Sequence, residues 1–299
     1  MIFVLFSVIC SVLVSVLLKL ARRFDVDVGQ AIAWNYVVAS LLTAWLLPST
    51  LDTLRTPGAP WLALLGLGLL LPTIFLALAA SVRHAGMVRS DGAQRLSLLL
   101  SLLAAFVLFG EVLSVLKAVG IALGLLALVG MVWRQRGQIP AGTARTADTD
   151  MSDTARGAGR WLFPLLVFVG FGVIDILFKQ VALAGVPLGA SLQAMFALAL
   201  IVAFVLQLSR WLRGRTHFTA RSALGGVALG LFNFGNILFY LRGHQALPQH
   251  PALVFTSMNI GVVALGAVVG VLVFREHLSK VNFVGVALAI LAIVLLTRP

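Results

Sequence analysis

Residues 109–123 read FGEVLSVLKAVGIAL, and residues 274–288 read FREHLSKVNFVGVAL. At a constant offset of 165 positions they share Phe, Glu, Leu, Ser, Val, Gly, Ala and Leu in register. Leucine and valine coincidences are common in an apolar chain, whereas a Glu, a Ser and a Gly at fixed spacing are not. A duplicated unit is the simplest reading. A weaker match agrees with it: Val16-Leu17-Leu18-Lys19 falls on Ile176-Leu177-Phe178-Lys179 at an offset of 160.

The surrounding chain is 299 residues long, 61% hydrophobic and 11% charged, against roughly 45–50% and about 25% in a soluble domain. Its mean hydropathy is +1.06. A soluble globular protein is thereby excluded. Apolar runs long enough to cross a bilayer core recur at 2–20, 30–48, 60–82, 93–110, 112–133, 161–183, 188–209, 222–243, 251–274 and 281–297. Between the fifth and sixth, residues 139–159 read IPAGTARTADTDMSDTARGAG, without periodicity and almost without bulky apolar residues. Such a composition predicts a flexible solvated linker over 134–160.

Five spans lie on each side of that linker, and an odd number per repeat forces the two halves into opposite orientations in the membrane. The expected fold is an all-α membrane protein: ten transmembrane helices arranged as two inverted five-helix repeats, residues 1–133 and 161–299. Secondary transporters recurrently use this architecture, with the substrate near the bilayer midplane between the halves.

Charge and cysteine usage narrow the chemistry. The formal net charge is +12, but the cations sit in the gaps between apolar runs and form no continuous nucleic-acid face. They read as topology signals, and seventeen of the 22 follow odd-numbered spans. The positive-inside rule then places the linker in the cytoplasm and both termini outside. The first run lacks a basic segment before it and a small-residue cleavage site after it, which predicts a retained span rather than a cleaved signal peptide. Cys10 has no partner cysteine for a disulfide or thiolate metal site. His84, His217, His244, His250 and His277 lie near span ends without metal-ligand spacing, and no chemistry is assigned to them. No phosphate-binding loop of the Gly-x-x-x-x-Gly-Lys-Ser/Thr type occurs, so energy would come from an ion gradient or the substrate's own gradient. No cofactor is expected.

The candidate functional residues are the polar side chains inside spans. Asp175 is the one acid well within an apolar run, and a charge at a helix centre costs about 2.5–3.5 kcal/mol on insertion scales. It reads either as a proton or substrate site or as an ion pair with Lys179 one turn later. Its repeat-equivalent is Ser15, so any role is confined to one half. Lys19 and Lys179 either snorkel to the headgroups or point into a cavity and favour an anionic or zwitterionic substrate. Gln94 and Arg95, beside Asp91, pose the same choice. Trp34, Asn35 and Tyr36 in span two, Asn233, Asn236 and Tyr240 in span eight, and Asn259 in span nine either bond between helices or orient a small molecule. Glu111 and Glu276, at the two repeat turns, read as carboxylates capping the following helix or as members of an ion pathway. Small-residue faces at Gly120/Gly124, Gly226/Gly230 and Gly266/Gly270 predict close helix approach within one chain, with dimerisation as the lesser alternative.

Two five-helix halves, each with a Phe-x-Glu-x-Leu-Ser turn and a Gly-containing last helix, resemble the EamA-type transporters of the drug/metabolite transporter superfamily. The resemblance spans nearly the whole chain. It implies a carrier of small metabolites working by alternating access, with the first four helices of each half around a central cavity and the fifth outside it. Family members commonly have cytoplasmic termini, against the charge count here, so the orientation stays open. The reading taken forward is a secondary active transporter of the cell inner membrane, an exporter of small polar metabolites such as amino acids. Its expected partners are that substrate, protons as coupling ion and membrane lipids, in a monomer or homodimer with no nucleic acid. The rivals are an intramembrane enzyme acting on lipid-linked substrates and a non-transporting membrane assembly subunit.

Overall fold

A computed structural model describes residues 1–21, 23–56, 58–132, 153–274 and 280–296. Among these residues the fold is all-helical. Ten α-helices follow one another: α1 (Ile2–Ala21), α2 (Val28–Leu46), α3 (Trp61–Ala85), α4 (Met87–Val107), α5 (Val115–Val132), α6 (Asp153–Leu183), α7 (Leu188–Leu212), α8 (Ala220–Ala246), α9 (Pro251–Phe274) and α10 (Lys280–Leu296), with a 3-10 turn at Leu51–Arg55. Six of them, α1, α3, α6 from Trp161, α7, α8 and α9, carry stretches long and apolar enough to cross a membrane. Shorter apolar stretches lie in α4, α5 and α10.

Two boundaries differ from expectation for local reasons. α6 begins at Asp153, so the last residues of the anticipated linker are helical; the rest of that segment, 133–152, lies outside the described residues. The fourth and fifth helices are separated by an extended stretch, because the chain leaves α4 at Val107 and α5 starts only at Val115. α3 and α4 are joined by Gly86 alone, at φ +86°. Only glycine adopts that backbone without steric cost, so the turn can be one residue long.

The halves interlock rather than sitting side by side. α1 lies against α8 and α9, and α2 against α7 and α8. α6 lies against α3 and α4, and α7 against α3 as well as α2. α4 meets α9, while α5 and α10 pair with each other. The α2–α8 contact depends on absent side chains: a Cβ at Gly230 would stand 2.6 Å from the Val38 Cβ and 2.8 Å from the Asn35 carbonyl. Gly120 and Gly124 similarly face Leu296 of α10 and Ile260 of α9. A Cβ at Gly266 would meet nothing within 4 Å among the described residues.

Candidate functional site

Asp175 stands where α4, α6, α8 and α9 converge. Ser101 of α4 donates its hydroxyl to Asp175 Oδ2 at 2.9 Å, and Tyr240 of α8 donates to Oδ1 at 2.9 Å. The amide of Asn259, on α9, is within hydrogen-bonding reach of the same carboxyl and donates to the Phe255 carbonyl at 3.0 Å. The groups that hold the acid are thus neutral ones drawn from three neighbouring helices. Asp175 as a whole residue is half-buried, and its carboxyl lies within the bundle between these three helices. Phe178 and Tyr240 meet edge to face beside it, with ring centroids 5.7 Å apart.

The anticipated ion pair with Lys179 is not made. Lys179 is fully buried, and its ammonium donates instead to the Pro248 carbonyl at 2.8 Å. Glu111 is within Coulombic reach of that ammonium. The Glu111 carboxyl, with its side chain 1% exposed, accepts from Lys117 Nζ at 2.9 Å and from the Ala252 N–H at 2.6 Å. His250 lies 3.9 Å from the same carboxyl. Glu111 therefore caps a helix, as expected, but the helix is α9, not the following α5. The cause is local: the Glu111 N–H bonds to the Ala105 carbonyl, which folds the turn back over the end of α4 and aims the carboxyl at the start of α9. Glu276, its repeat counterpart, lies outside the described residues.

Between the two carboxylates stands His244, a residue to which sequence analysis assigns no chemistry. It is fully buried, and neither ring nitrogen has a hydrogen-bond partner among the described residues. Its ring packs edge to face on Tyr240 at 4.8 Å and on Phe255 at 4.9 Å, and Lys179 is within Coulombic reach of it. α8 runs on to Ala246, past the expected end near 243, and so carries His244 inside the bundle.

The opposite end of the bundle holds a second network. Arg210, at the end of α7, donates both terminal nitrogens to Asp27 at 3.0 Å each. The Thr216 hydroxyl donates to Asp27 at 2.8 Å, and Gln207 accepts from Arg210 at 2.9 Å. Asp27 also caps α2 through the Gln30 N–H at 2.9 Å. The Gln30 amide donates to the Thr219 carbonyl and accepts from its N–H, each at 3.1 Å. Burial raises the cost of the Asp27 charge, but the Arg210 guanidinium, the Gln30 N–H and the Thr216 hydroxyl outweigh it and hold the carboxyl below its ordinary range. The network ties the α1–α2 connection to the α7–α8 connection.

The remaining candidates are dispersed. Asn236 accepts from Ser7 of α1 at 2.8 Å and so bonds between helices. Tyr36 is buried against Phe196 of α7, with centroids 6.3 Å apart. Trp34 stacks edge to face on Phe204, and Trp34 Nε1 and Asn35 Oδ1 have no hydrogen-bond partner among the described residues. Lys19 is exposed near the end of α1, unlike its repeat-equivalent Lys179. Gln94, Arg95 and Asn233 are half-buried and make no described bond to Asp175. The Asp27–Arg210 network was missed because its partners are 183 positions apart; the one local signal was an Asp placed immediately before α2.

These features define a multi-pass integral membrane protein. Residues 1–133 match the model of the EamA-like transporter family. An uncharacterized protein of Haemophilus influenzae is 40% identical over 296 residues, which is 97% of this chain and 95% of that one. A solved crystal structure superposes with a TM-score of 0.71 at 17% identity, covering 98% of this chain and 96% of its own; at that identity the likeness shows the fold alone. The first half of the chain thus belongs to the EamA-like transporter family by its match.

Proposed function

We propose that the protein is a secondary active transporter of the inner membrane. It exports small polar metabolites, amino acids foremost, by alternating access with protons as the coupling ion. The observation that carries this reading is Asp175: an acid inside the bundle, held by the neutral groups of Ser101, Tyr240 and Asn259. Such a carboxylate takes either a proton or the amino group of a substrate, and that exclusivity couples the two. The nearby Lys179 is engaged with Pro248 and Glu111, so the charge offered to a ligand is negative. Substrates carrying an amino group are favoured over purely anionic ones.

The helix partnerships support two inverted repeats. Exchanging α1–α5 with α6–α10 turns α1/α8 into α6/α3, α1/α9 into α6/α4 and α2/α8 into α7/α3, each of which occurs. Two interlocked halves of this kind can rock about a shared site.

A thermal-shift screen of the detergent-purified protein against a metabolite library tests the reading. A ligand that binds only the folded state raises stability by RT ln(1 + [L]/Kd). Amino-bearing solutes should raise the melting temperature of the wild type and leave that of Asp175→Asn unmoved. A flat response across the library, with folded protein, would contradict it.

A further inference from the structure

We infer that His244 relays protons between the Glu111 end of the bundle and Asp175. The inference rests on the reading of Asp175 as the coupling site. Packing alone does not account for an imidazole at this position. A buried polar atom left without a partner destabilises the fold, and His244 leaves two among the described residues. A phenylalanine would fill the space between Tyr240 and Phe255 without that cost. An imidazole does what a phenyl ring cannot: it takes a proton on one nitrogen while releasing another from the second.

The neighbours of His244 form a column with titratable groups on either side. On one side, Tyr240, one turn earlier on the same helix, donates its hydroxyl to Asp175. On the other, Lys179 reaches from α6 to Pro248 and lies within Coulombic reach of both Glu111 and His244. Glu111 contacts Lys117, and His250, whose side chain is 48% exposed, stands beside them at the bundle's end. α9 contributes Phe255 to the ring packing, and α1 meets this part of α8 through Val4, against Gly243; neither is a charged group. A proton arriving from the Glu111 and His250 side forms an N–H bond at one imidazole nitrogen as the N–H bond at the other breaks. The released proton passes through bridging water to Asp175, and a ring flip restores the starting tautomer. One proton enters and one leaves, with no change of oxidation state.

The test needs no substrate. The full-length protein in lipid nanodiscs is subjected to a rapid downward pH jump while the carboxylic-acid C=O infrared band is followed. Subtraction of the Asp175→Asn spectrum assigns the band to Asp175. His244→Phe preserves the ring stacking and should slow the rise of that band by about 100-fold, the scale contributed by one positioned proton-transfer group, with the same final amplitude. His244→Gln, which keeps polarity but cannot take up a proton, should slow it equally and serves if the Phe variant does not fold. An unchanged rate in a folded variant overturns the relay and leaves the transporter reading standing; that result is also expected if His244 only hydrogen-bonds a substrate. Absence of any Asp175 band in the wild type overturns the relay and the coupling role of Asp175 together.

Discussion

The two ends of the bundle hold their charges in different ways. At the Asp27 end, a carboxylate and a guanidinium meet in a forked pair, and threonine, glutamine and backbone groups take up the remaining bonds. Arg210 and Asp27 are partly open to solvent, at 36% and 25% exposure of their side chains. At the Glu111 end, the acid and Lys179 are sunk into the protein, and His244 between that end and Asp175 has two nitrogens without a partner among the described residues. The first is a closed latch between connections of the two halves. The second is a polar column leading inward from one face. The proton route proposed above uses the second end, whereas the first holds its charges in a closed set of bonds.

That contrast can be broken by mutation. Glu111→Ala should have the larger effect, because it strands buried cations and uncaps α9. Removing one partner of a buried pair typically costs about 3–5 kcal/mol, to be read as a fall in unfolding free energy in detergent. A loss similar to that of an exposed pair would show that the Glu111 cluster is no more demanding than the latch.

Asp27→Asn keeps the cap on α2 and removes only the charge, so a loss of about 1 kcal/mol or less is expected for so open a pair. Its pH dependence sharpens the comparison. The folded carboxyl lies below its ordinary value, so the charge contributes fully above the unfolded range near about 3.9. That contribution is lost as the pH falls through the folded value. The stability difference between wild type and Asp27→Asn should therefore be constant from neutral pH down to about 5 and shrink below about 4. A difference that grew on acidification would contradict the assignment.

The helices were legible because hydropathy fixes where a chain can cross an apolar layer; most of the twenty helix ends fall within a few residues of the spans read from the sequence. Asp175 was legible for the same reason, since an acid in an apolar run is conspicuous. What surrounds it was not. The i+4 spacing offers Lys179 as one alternative partner for Asp175, but the end of α6 meets the α8–α9 connection, and the Pro248 carbonyl is a partner that sequence distance hides. His244 escaped notice because three further residues of helix decide whether it lies in a loop or inside the bundle. The match of Lys19 with Lys179 was a true similarity of sequence with opposite surroundings, one exposed and one buried. Arginines counted as topology signals included Arg210, whose partner lies in the other half.

The most direct measurement is gradient-driven transport in proteoliposomes, using a metabolite identified by thermal shift, with wild type compared to Asp175→Asn at matched folding and orientation. The wild type should accumulate the metabolite when a proton gradient is imposed, and the mutant should lose that accumulation entirely while melting at a similar temperature. Full gradient-driven accumulation by a folded Asp175→Asn protein would remove this carboxyl from the mechanism and contradict the proposed coupling.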